Sequence, residues 1–125
     1  MKQIEKLYAI ISAPRAINLN KNTRVYKYLC EIACAGIAKT GYSDRTCKYI
    51  ETAGVLAVLR AAGISCDSRN DAPRGGACGE RVFLKGAVLR DCLKNYETFE
   101  RAFLQENRKK YSWDARAAFI SNLQK

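Results

Sequence analysis

The feature that most constrains this chain is a change of hydrophobic period near Gly63. Before it, apolar residues recur at three- and four-residue spacing, as on the buried face of a helix. After it come two short β-like runs, ISC and ERVFLK, on either side of a segment rich in arginine and glycine. Helices repeat every 3.6 residues and strands every two, so one pattern cannot continue through the other. The switch predicts a β-hairpin with strands near 63–69 and 80–85. Asn70 and Asp71 are natural turn formers between them, and Pro73 stiffens one side of the connection. Gly75, Gly76 and Gly79 permit close backbone approach there. At about ten residues this loop is longer than a tight hairpin needs, and long loops in small domains are more often functional than accidental.

Around the hairpin the pattern is helical. Ile4, Leu7, Tyr8 and Ile11 mark a short amphipathic helix over 2–11, stopped by Pro14. A second helix is expected from a cap at Asn22 or Thr23 to Gly41, with an apolar stripe of Val25, Leu29, Ile32, Ala33 and Ile37. A third, capped by Ser43 and stopped at Gly63, is apolar around most of its circumference, the pattern of a central helix. Val88, Leu89, Cys92, Leu93, Tyr96, Phe99 and Phe103 predict a long helix from Gly86 to about residue 108. Ser112 would cap a last one that faces Trp113, Ala117, Ile120 and Leu123 inward. The expected class is mainly α, an α+β domain of about five helices with one small β-hairpin.

The chain has 125 residues and shows no repeat, low-complexity tract or linker, so a single globular domain spanning 1–125 is expected. With 48% hydrophobic and 27% charged residues it has the apolar surface that disordered chains lack. The N-terminal apolar run is interrupted by Glu5 and Lys6, unlike a signal peptide, and no stretch approaches the length of a membrane span. A cytoplasmic location is expected, with the six cysteines reduced and mostly buried.

Catalytic chemistry finds little support. The chain has no histidine, which removes Ser-His-Asp and Cys-His machinery and imidazole metal ligands. The cysteines form no C-x-x-C, and no metal or cofactor is expected. RGGACGE is neither G-x-x-x-x-G-K-[ST] nor G-x-G-x-x-G. A metal-dependent nuclease would need Asp67, Asp71 and Glu80 to converge beside Lys85. The strand–loop–strand order separates these carboxylates and interleaves them with arginines, so local ion pairs such as Arg69 with Glu80 are the simpler expectation.

Net charge does point somewhere. With 22 Lys and Arg against 12 Asp and Glu, the formal charge is +10, which favours an anionic partner. Arg69, Arg74 and Arg81 surround the loop. Between residues 13 and 50, Arg15, Lys21, Arg24, Lys27, Lys39, Arg45 and Lys48 outnumber Glu31 and Asp44, with Tyr26, Tyr28, Tyr42 and Tyr49 interleaved. Cations neutralise phosphates and aromatic rings stack on bases. The order helix, helix, hairpin resembles the latter half of a winged helix, although VLAVLRAAG is too apolar for a recognition helix. The expected function is a small, non-enzymatic basic protein that binds DNA or RNA through phosphates. The expected contacts are Arg15, Lys21, Arg24, Lys27, Arg45, Lys48, Arg69, Arg74 and Arg81. The alternative is an assembly or interaction module of a virus or mobile element, which self-associates or meets an acidic protein surface with the same basic face.

Overall fold

A computed structural model describes residues 1–42, 51–71 and 79–106. It shows α1 (Gln3–Ser12), a 3-10 turn (Pro14–Ile17), α2 (Arg24–Ala35), β1 (Ile37–Tyr42), α3 (Thr52–Ala61), β2 (Cys66–Asp71), β3 (Gly79–Leu84) and α4 (Ala87–Glu106). The class is α+β, and the expected hairpin is part of a three-stranded antiparallel sheet of order β1-β3-β2. The expected last helix lies outside the described residues.

The helices form near where capping and periodicity predict them, but two depart from expectation. Thr23 caps α2, its hydroxyl accepting from the Tyr26 amide at 3.3 Å. The expected continuation of α2 to Gly41 is wrong. The helix stops at Ala35, and Gly36 follows at φ 79° in the left-handed region. A side chain is excluded there twice: by that φ, and because a Cβ would sit 2.5 Å from Leu89 Cδ1 of α4. The Gly36 amide closes the helix on the Ile32 carbonyl at 2.8 Å, while its own carbonyl accepts from Leu84 of β3, also at 2.8 Å. One residue thus ends a helix and opens a strand. Ile37, which the helical stripe claims, becomes the first residue of β1.

The third helix also differs from expectation. It begins at Thr52, and residues 43–50 lie outside the described residues, Ser43, Cys47 and Ile50 among them. It is not buried all round: Val55, Leu56 and Leu59 face the core, while Ala53, Gly54, Ala57, Arg60 and Ala61 are exposed.

The core lies between one face of the sheet and the helices, with Leu7, Ile11, Leu29, Ile32, Val55, Leu59, Val82 and Leu84 among its largest fully buried side chains. Polar groups at the helix ends are met from neighbouring elements. Tyr26 donates its hydroxyl to the Ile11 carbonyl at 3.0 Å, and Cys92 Sγ–H lies 3.2 Å from the Ala33 carbonyl. Asn95 of α4 donates to Tyr8 Oη of α1 at 2.8 Å. Leu93, expected in the core, is 46% exposed. Cys30, Cys34 and Cys92 are buried free thiols and Cys66 is half-buried.

Candidate nucleic-acid interface

Alternation along the strands sorts their side chains between two faces. Ala38, Thr40, Val82 and Leu84 point toward the helices and are buried. The residues between them, Ile37 and Lys39 of β1 and Arg81 and Phe83 of β3, point the other way and are partly exposed, as are Asp67 and Arg69 of β2. The register places Lys39 opposite Arg81 and Arg81 opposite Arg69. Three cations, one per strand, therefore stand in a single row on the face turned away from the helices. The next row of that face is Ile37, Phe83 and Asp67. Arg69 links the rows, its guanidinium carbon 5.5 Å from the centre of the Phe83 ring.

The acidic residues are arranged around this row without converging on it. Asp67 sits 3.5 Å from Lys85 Nζ. The Ser68 amide N–H, 2.8 Å away, and then Lys85 lower its carboxyl below the usual value of 3.8. Glu80 faces the opposite side of the sheet, where its carboxylate accepts from the Thr52 hydroxyl. Thr52 Oγ1 is in turn 2.6 Å from Thr40 Oγ1, and Thr40 is fully buried. That chain of hydroxyls ties the first turn of α3 to the sheet. The expected Arg69–Glu80 pairing across the strands is not the register: Arg69 opposes Arg81, and Asn70 opposes Glu80. Asp67 and Glu80 lie on opposite faces, so these two carboxylates do not meet as a two-metal nuclease requires.

The remaining expected contacts divide into two groups. Arg15 in the 3-10 turn, Lys21, and Arg24 at the start of α2 are exposed, and Lys27 is half-buried one turn further on. They lie where α1 leads into α2. The loop between is shaped by asparagines: Asn18 has a left-handed φ of 58°, and Asn20 Oδ1 accepts from the Asn22 amide at 2.8 Å. Since α2 packs on the inner side of β1, these cations belong to a different surface from the sheet row. Arg45, Lys48, Pro73, Arg74, Gly75 and Gly76 lie outside the described residues; Gly79 opens β3 opposite Tyr42 and Asp71. Tyr26, counted among the stacking tyrosines, is a core residue at 5% exposure.

Two residues of the sheet face are missing from the expected contacts. Lys39 is counted among the basic residues of 13–50, but the assignment of β1 to a helix hides its place opposite Arg81. Phe83 is overlooked because VFL reads as one apolar run, although strict alternation would put Phe83 with Arg81 and against Val82 and Leu84. Among the described residues no group of three or more His, Cys, Asp or Glu can hold a metal ion, and no helix is long and apolar enough to cross a membrane. Compared with protein-family models, with curated proteins and with solved structures, the chain matches none.

Proposed function

We propose that this protein is a non-enzymatic nucleic-acid-binding protein that holds its ligand through phosphate contacts. The observation that carries the reading is the cross-strand row Lys39, Arg81 and Arg69. A polyanion laid along the row meets three cationic side chains on one face and releases its counterions on binding. Net charge of +10 supports the same reading, and Arg15, Lys21, Arg24 and Lys27 provide a second basic surface. Arg45, Lys48 and Arg74 add to the proposed contacts on sequence grounds alone. The protein works in the cytoplasm under this proposal.

Binding to a random duplex and a random single strand, each followed as a function of salt, tests it. Arg81→Ala is expected to weaken binding equally across sequences and to reduce the slope of log affinity against log salt by about one. If neither probe binds at low salt, or the slope is unchanged in Arg81→Ala, the reading fails. An acidic protein partner would then be the remaining use of the basic face.

A further inference from the structure

We propose that the outer face of the sheet takes a single-stranded segment, with one base stacked on the Phe83–Arg69 pair and neighbouring phosphates on Lys39 and Arg81. This rests on the nucleic-acid reading above and narrows it to a strand form.

Three features of the face select a single strand. The first is an aromatic ring among cations: Phe83 is partly exposed, one row from Arg81 and Lys39. In a duplex the faces of the bases are consumed in the stack and only their edges reach the grooves, so a ring on a sheet has no base face to meet. In a single strand each base offers a free face to an aromatic side chain or to a guanidinium plane.

The second feature is spacing. The cation row and the Phe83 row are two residues apart along the strands, about 7 Å, which is the scale of one nucleotide from phosphate to base. A nucleotide lying along β3 thus meets Arg81 with its phosphate and Phe83 with its base. Ile37, opposite Phe83 on β1, extends the apolar row beneath a sugar or a second base.

The third feature is order in the stacking pair. Arg69 already lies over the Phe83 ring at 5.5 Å. Holding both side chains in place before binding reduces the rotamer freedom that is lost on contact. The acid in the same row, Asp67, is held by Lys85 at 3.5 Å, so its repulsion of a phosphate is locally offset. Stacking is tolerant of sequence, because every base has a π-face, and no base-specific preference is expected.

Three probes separate this inference from the broader reading: a short random single strand, the blunt duplex of the same sequence, and a single-stranded abasic sugar–phosphate chain of the same length. The intact protein is expected to prefer the single strand to both others at equal salt. Phe83→Ala should weaken single-strand binding about tenfold with the salt slope unchanged, and should leave abasic-chain binding unaltered. Phe83→Trp should restore or tighten the single-strand complex. Phe83→Leu keeps apolar area without a π-face and should behave like Phe83→Ala; far-ultraviolet circular dichroism of each variant shows that it is folded. If Phe83→Ala binds the single strand like the parent while Arg81→Ala still lowers the salt slope, stacking is overturned and phosphate binding survives. Equal affinity for duplex and single strand overturns the strand selectivity. Binding to no probe overturns both readings.

Discussion

The two faces of the three-stranded sheet share a backbone and differ in almost every other respect. The inner face presents Ala38, Val82 and Leu84 to the helices, with Thr40 as its one fully buried polar side chain among the described residues. The outer face presents Lys39, Arg81, Arg69 and Phe83 away from the helices. Inner polar groups are satisfied by fixed neighbours, as Thr40 is by Thr52. The outer face has contacts of its own, Arg69 over the Phe83 ring and Asp67 with Lys85, but its described side chains are mostly charged and at least partly exposed. Neighbouring residues on one strand can thus have unrelated tasks, because a strand turns successive side chains to opposite sides.

The sharpest way to break this contrast is to truncate adjacent residues of β3. Leu84→Ala removes a fully buried side chain and is expected to cost about 2–5 kcal/mol, read from the urea midpoint. Phe83→Ala, one residue away, should stay within about 1 kcal/mol, since its ring faces outward. Equal losses would mean that the outer face is packed like the inner one, and the contrast would collapse.

Titration sharpens it next. Burial pushes the Cys92 thiol from its ordinary 9.0 up to about 12, and Tyr8, buried under α4, from 10.0 to about 12. In the unfolded chain both groups lose their protons first, so the unfolded state binds fewer protons through this window. Stability is therefore full below about pH 9 and falls as pH rises toward 12, by at most about 1.4 kcal/mol per pH unit for each group. Unfolding by urea across this range should show the loss, and Cys92→Ala should reduce the portion that begins near pH 9, which Cys66, also raised by burial, shares. A flat profile would show that the thiol is not buried as described.

Gly36→Ala comes third. A methyl group at φ 79° and against Leu89 is expected to cost about 1–3 kcal/mol, and Leu89→Ala in the same chain should recover part of it. Simple additivity of the two would indicate that the Cβ contact is not the cause.

Thr40→Val tests the buried hydroxyl chain. Losing its bond to Thr52 should cost about 1 kcal/mol, without changing nucleic-acid affinity, because the residue faces inward. The smallest effect belongs to the outer face. The Asp67 carboxyl is held below its usual value by the Ser68 amide and Lys85, so its contribution is present above pH 3.8 and fades as pH falls through the lower folded value. Asp67→Asn should leave the urea midpoint nearly unchanged at pH 7, since an exposed ion pair contributes little.

Much of this architecture can be read from local chemistry. Helix starts and stops follow capping at Thr23, the proline at 14 and the apolar spacing of Leu7, Ile11, Leu29 and Ile32, because each of these acts within a turn or two of chain. The hairpin is legible for the same reason: VFL and its turn-rich approach cannot sustain a helical face. Net charge is a sum over residues and needs no fold at all. The cation row is different in kind. IAKT, at the start of β1, is short enough to fit the end of a helix as well as a strand, and nothing within a few residues decides between them. Gly36 and its distant partners decide it: Leu84 donates to the Gly36 carbonyl, Phe83 pairs with Ile37, and Leu89 fills the space a Cβ would need. Backbone hydrogen-bonding groups must be satisfied somewhere, and here β3 satisfies them across a long loop of sequence. Only that pairing brings Lys39 beside Arg81 and Arg69, residues whose charges a sequence shows and whose neighbours it does not.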